Sequence, residues 1–431
     1  MKYFSTNSLS EQADFKTATI LGQASDKGLY FPENIPQIEP DFFKNLSQYT
    51  KEEIALKVIE PYVGNTIPKN ILEAIVTETI AFPIPLVQVN NNIFSLELFH
   101  GPTLAFKDVG ARFMSRCLGY FLQNNKQKVT VLVATSGDTG GAVANGFYNV
   151  DGIDVVILYP SKKVSEVQEQ QLTTLGKNIT ALEVEGSFDD CQQMVKEAFA
   201  DKEITEKMFL TSANSINVAR WLPQQFYYFF ALQQWTENEP PVISVPSGNF
   251  GNICAGLLAE RSGLPVVHFI AACNANNSVT EYLENGLYHT KKSVATLSNA
   301  MDVGNPSNFT RVLQLFQQNY GLLKNTLSSY SISDEETKQT IAEVYQNNNY
   351  LTDPHGAVGY AALKKYLQQH PNQQGIFLET AHPVKFCDVV EPVIGKKIEL
   401  PASVALLALK EKRSIKIKSR YSELKEFLLS V

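Results

Sequence analysis

Short runs of consecutive apolar residues, rich in β-branched side chains, recur through the middle of the chain at Val129–Ala134 and at residues 154–159, 242–245 and 266–271. A strand with one wet face alternates polar and apolar positions, so runs apolar at every position predict parallel strands covered on both sides. Residues 93–99 and 375–378 read as two more strands. Between the runs the period becomes helical. Val109, Phe113, Cys117 and Phe121 recur every fourth position, and helices also fit residues 164–175, 188–199, 219–235 and 253–261. This alternation predicts an α/β fold, doubly wound, with mostly parallel sheets and helices on both faces. Such sheets bind ligands beyond the carboxyl ends of their strands, so the chemistry belongs in the strand-to-helix loops.

Composition narrows the function. With 44% apolar and 19% charged residues the chain is an ordinary globular protein, and 37 basic against 44 acidic residues give a net charge of −7, the wrong sign for a nucleic-acid binder. Residues 1–20 lack the apolar core of a signal peptide and no apolar run approaches the ~18 residues of a membrane helix, so a cytoplasmic protein without membrane partners is expected. Five scattered cysteines without a C-x-x-C pair point to free thiols and no metal site. The breakers Phe82-Pro83-Ile84-Pro85 separate a mostly helical N-terminal region from the rest near residue 80. Near the C-terminus, Ile415 and Ile417 alternate with Lys416 and Lys418, which predicts an edge strand guarded by lysines.

Five loops carry candidate chemistry. After Val129–Ala134 comes Thr135-Ser136-Gly137-Asp138-Thr139-Gly140-Gly141, whose glycines and hydroxyls at a helix start suit a carboxylate or phosphate or, alternatively, serve only as an N-cap. Residues 246–252, Pro-Ser-Gly-Asn-Phe-Gly-Asn, repeat that design; they match neither Walker A nor G-x-G-x-x-G. In His100-Gly101-Pro102-Thr103-Leu104-Ala105-Phe106-Lys107-Asp108, apolar neighbours would desolvate Lys107, lower its pKa and free its amine for Schiff-base chemistry; a lysine snorkelling from a helix start is the plainer alternative. Asn214, Ser215 and Asn217 are natural helix caps, with Arg220 one turn further as a forked phosphate donor. The last segment is Leu378-Glu379-Thr380-Ala381-His382-Pro383-Val384-Lys385-Phe386, where a strand stops at another polar loop and His382 reads as structural.

Taken together, these loops and the segments MKYFST, DKGLYFPENIP, TLSNAMDVGNPSNF and DPHGAVG resemble the threonine synthase family over nearly the whole chain, in the longer microbial and fungal branch. The resemblance implies the tryptophan-synthase-β-like fold (pyridoxal-phosphate fold type II) and three parts: a threonine-synthase N-terminal region at 1–80, a catalytic core of two subdomains at 81–400 and a C-terminal tail at 401–431. It implies pyridoxal 5'-phosphate carried by Lys107, its phosphate held by Gly248, Asn249, Phe250, Gly251 and Asn252, and its pyridine nitrogen met by Thr380. Ser136, Gly137, Asp138 and Thr139 would take the substrate carboxylate, and Ser215, Asn217 and Arg220 its phosphate. Many relatives on this fold have Asn where Asp138 stands, and a carboxylate cannot donate to the cofactor's phenolic oxygen as an amide can. The implied reaction turns O-phospho-L-homoserine and water into L-threonine and phosphate, the last step of threonine biosynthesis. The tail after Ser403 carries no motif of the resemblance, and the chain's state as monomer or homodimer is left open.

Two further readings stand beside this one. A phospholyase acting on another amino-phosphate would share the same loops, and a catalytically silent homologue would bind a small molecule without needing Lys107. A serine hydrolase lacks its G-x-S-x-G elbow.

Overall fold

A computed structural model describes residues 1–123 and 128–430 of the chain. The strands among them, in chain order, are β1 (Tyr3–Ser5), β2 (Tyr30–Pro32), β3 (Leu86–Gln88), β4 (Ile93–Glu97), β5 (Val129–Ala134), β6 (Ile153–Pro160), β7 (Ile179–Glu185), β8 (Phe209–Thr211), β9 (Val242–Pro246), β10 (His268–Cys273), β11 (Leu327–Ser331), β12 (Gly375–Glu379) and β13 (Ile415–Lys418). The all-apolar runs become central strands: every residue of β5, β9 and β12 is buried. A six-stranded sheet runs β11-β10-β9-β12-β4-β3, parallel except at β3, and a five-stranded, fully parallel sheet runs β13-β7-β6-β5-β8. Helices cover both faces of these sheets, so the doubly wound α/β expectation holds. Because β9 lies between β10 and β12, the loops leaving β9 and β12 emerge side by side at the carboxyl edge.

The N-terminal region is mostly helical, with helices Phe15–Leu21, Pro40–Lys44, Lys51–Val63 and Lys69–Thr79 beside the antiparallel β1–β2 pair. Thr50 and Glu53 close a reciprocal capping box that starts the third of these. At the other end β13 forms the edge of the five-stranded sheet, with Lys416 and Lys418 exposed and Ile417 buried as the alternation predicts, whereas Ile415 at the strand's start is exposed.

Several expectations change in detail: the strand expected at 93–99 ends at Glu97, and the helix expected at 164–175 runs Glu166–Thr173. The single helix expected over residues 219–235 is interrupted: Val218–Trp221 passes into a 3-10 turn at Leu222–Gln224 before Gln225–Gln234 resumes. Pro223 lacks the N–H that a continuous helix needs. The strand expected at 266–271 starts two residues later, at His268. Among the described residues the five cysteines are free thiols, and no helix is long and apolar enough to cross a membrane.

Candidate active site

The turn ahead of Lys107 is tied down by its own polar groups. Buried Asp108 accepts from Thr103 N at 2.9 Å and from Thr103 Oγ1 at 2.5 Å, while Leu104 takes the left-handed conformation at φ 57°. Phe106 N donates to Thr380 O at 2.9 Å and His382 N to Leu104 O at 3.0 Å, which zips this turn to the loop after β12. Lys107, the first residue of helix Lys107–Leu122, therefore stands beside Thr380, itself only 5% exposed. Burial pushes the Lys107 ammonium down to about 8; Lys385 and Arg220 push the same way, and Asp138 opposes them.

The loop after β5 starts helix Asp138–Phe147, whose first turn offers N–H groups to an anion. Thr135 Oγ1 accepts from Gly137 N at 3.0 Å and Gly140 N at 2.8 Å, closing the turn. Gly137 is required here: its φ is 143°, and a Cβ would lie 2.5 Å from the Gln168 side chain. Ser136 and Thr139 are half-buried at the same turn. Asp138 meets Lys385 Nζ at 2.5 Å and accepts from Gln168 Nε2 at 3.0 Å. Burial alone would raise this carboxyl, but Lys385 and then Lys107 hold it well below the usual carboxylate range. Asp138 is thus an ionised acceptor and cannot act as a donor.

Lys385 is the residue that sequence reasoning passed over. It sits in the short turn Pro383–Phe386, its side chain wholly buried, and also donates to Thr103 O at 2.9 Å. A signal was present: like Lys107 after Phe106, Lys385 lies between apolar neighbours, Val384 and Phe386. His382 Nδ1 accepts from Val384 N at 3.1 Å, and burial pushes its pKa to about 4, so it is a neutral capping histidine.

The loop after β9 forms the third wall. Phe250 caps helix Gly251–Arg261 in the left-handed conformation, φ 60°, its ring against Phe309. Tyr228 Oη donates to Asn252 Oδ1 at 2.8 Å, which fixes the amide; Asn252 Nδ2 is buried with no partner among the described residues. An orphaned donor in the first turn of a helix fits a phosphate group. Asn249 spends its side chain on neighbours: Nδ2 donates to Ser215 Oγ at 2.7 Å, and Oδ1 accepts from Ser307 N at 2.6 Å.

That bond joins the cofactor-type loop to the 214–220 segment. Ser215 Oγ also accepts from Asn308 Nδ2 at 3.3 Å, leaving its own hydrogen free to donate. Arg220 is 3% exposed and donates to Ala213 O; among the described residues it has no carboxylate partner, and its Nε is unpaired. Burial lowers its pKa to about 10. A buried cation with idle donors is suited to a bound anion. Asn217 differs from both: Oδ1 caps Ala219 N at 2.9 Å and Nδ2 donates to Thr19 O at 2.9 Å, so its amide is committed to holding the loop.

Three family descriptions match the chain: "Threonine synthase N terminus" at residues 2–80, "Pyridoxal-phosphate dependent enzyme" at 77–378 and "Threonine synthase, C-terminal" at 356–428. The last covers most of the tail that carries no motif of the resemblance. A threonine synthase of Escherichia coli (strain K12) is 44% identical over 411 residues, 94% of each chain. The crystal structure of threonine synthase from Escherichia coli superimposes with a TM-score of 0.93 at 41% identity, covering 100% of both chains. That of a PLP-bound threonine synthase from Brucella melitensis gives 0.92 at 35% identity, covering 99% of this chain and 98% of its own.

Proposed function

The chain belongs to the threonine synthase family of pyridoxal-phosphate-dependent enzymes, and from that premise we propose how its residues divide the conversion of O-phospho-L-homoserine and water into L-threonine and phosphate. The observation that carries the division is the placement of Lys107: a desolvated amine titrating near 8, facing Asp138, Lys385 and Arg220 and zipped to Thr380. Asn252 Nδ2 and the backbone of Gly248, Asn249, Phe250 and Gly251 hold the cofactor phosphate. Thr380 meets the pyridine nitrogen as a neutral partner. When bound, the cofactor supplies an electron sink for negative charge at the substrate's Cα.

The chain's own groups do the remaining work. Ser136, Gly137 and Thr139 orient the substrate carboxylate at the start of helix Asp138–Phe147. Arg220 and Ser215 take the substrate phosphate and stabilise it as it departs, and Asn217 keeps their loop in place. Lys107 Nζ takes and returns protons at Cα and Cβ, a task for which a pKa close to the working pH is the useful value. The same reading makes this a cytoplasmic biosynthetic enzyme.

Purified protein loaded with pyridoxal phosphate is expected to absorb in the visible and to release threonine and phosphate in equal amounts from phosphohomoserine. Phosphate release without threonine would replace this reading with the phospholyase; binding without turnover would replace it with the silent homologue.

A further inference from the structure

Two lysines and one carboxylate share the centre of the site, and the way they pair decides which amine is free. Asp138 has a 2.5 Å contact with Lys385 Nζ, both side chains at most 3% exposed, and Thr103 O and Gln168 Nε2 fix the two partners from outside. Lys107 has no carboxylate within ion-pairing distance among the described residues. Without Lys385, the Asp138 carboxylate would be left to Lys107 as the remaining nearby ammonium. It would also stand uncompensated in the very turn, 136–139, where an anion is to bind. We infer that Lys385 is a positioning residue: by engaging Asp138 it leaves Lys107 as the free amine and keeps the 136–139 turn receptive to a carboxylate. This rests on the threonine synthase reading above. It also accounts for an acidic residue in an anion-binding turn, since the pair presents no net charge.

The electrostatics agree in sign. Lys107 is faced by Asp138, Lys385 and Arg220; Lys385 is faced by Asp108, Asp138 and His382; Asp138 is also faced by His355. Removing the positive charge of Lys385 raises the Lys107 pKa, and removing the negative charge of Asp138 lowers it.

The test uses the full chain without cofactor, its fold checked by circular dichroism. It is treated with an amine-acylating reagent over a pH series, and modification of Lys107 is read by peptide mass spectrometry. The wild type is expected to reach half its maximal rate near pH 8. K385M should move that midpoint up by about one unit, D138N should move it down, and the double variant should return toward the wild type. K385R, which keeps the charge, should stay close to it. A lysine with a merely structural role would not produce opposite shifts. If K385M does not fold, D138N and K385R still decide. Midpoints that coincide in all folded variants, or a downward shift in K385M, overturn the inference. A wild type that titrates as expected yet neither takes up pyridoxal phosphate nor makes threonine overturns the functional reading instead.

Discussion

A lysine amine attacks a carbonyl only when neutral, and burial brings that state within reach at Lys107 by pushing its pKa to about 8. The folded-state value lies below the ordinary one, so the reactive form gains as pH rises. Uptake of pyridoxal phosphate by the cofactor-free protein should therefore accelerate between about pH 7 and 9, through the Lys107 value of about 8, and level off above. Stopped-flow absorbance measures this, and borohydride trapping followed by peptide mapping should place the label on Lys107. A label on Lys385 would mean that the ion pair with Asp138 does not hold in solution. Arg220 is the second residue whose surroundings speak for it. Arg220→Ala removes charge-assisted contacts worth ~1.5–3 kcal/mol, roughly ten- to a hundredfold in kcat/KM for phosphohomoserine, while the cofactor's absorption stays as in the wild type. Loss of the absorption with substrate binding intact would move Arg220 to the cofactor's phosphate.

At the scale of elements, the loop after β9 shows why a glycine is needed at one place. A Cβ on Gly248 would lie 2.7 Å from Met301 Cα and 2.9 Å from Ala300 O, both main-chain atoms that side-chain rotation cannot clear. Gly248→Ala must displace either the loop or the turn Asn299–Met301 packed on it. Overpacking of this kind costs ~1–3 kcal/mol, and here it should appear as a roughly five- to hundredfold weaker affinity for pyridoxal phosphate with unchanged far-UV dichroism. Equilibrium dialysis checks it; unchanged affinity would place the phosphate elsewhere.

Across the whole molecule, Arg311 links parts that are far apart in the chain. Fully buried and without a carboxylate partner among the described residues, its guanidinium donates to Tyr30 O at 2.9 Å, Ile216 O at 2.6 Å and Asn308 Oδ1 at 2.8 Å, and it stacks on Trp221 at 4.4 Å. It thereby fixes the N-terminal strand β2, the Ser215 loop and, through Asn308, the loop after β9. Arg311→Met leaves these acceptors unmet at ~1–3 kcal/mol each, so thermal unfolding should begin several degrees lower; an unchanged Tm would show that the linkage bears no stability. By itself the sequence determined the parallel strands, because positions buried on both faces must be apolar, and it singled out the candidate loops, because glycines, hydroxyls and Lys107 cluster after those strands. It also marked the lysine-guarded edge at β13, since alternation is local. Tertiary structure alone decided how the site is charged. Lys385 bonds Thr103, 282 residues away, and pairs with Asp138, while Asn217 turns its amide to Thr19. Pairing between buried polar groups depends on which loops the sheet order sets side by side, and no local pattern of residues records that order.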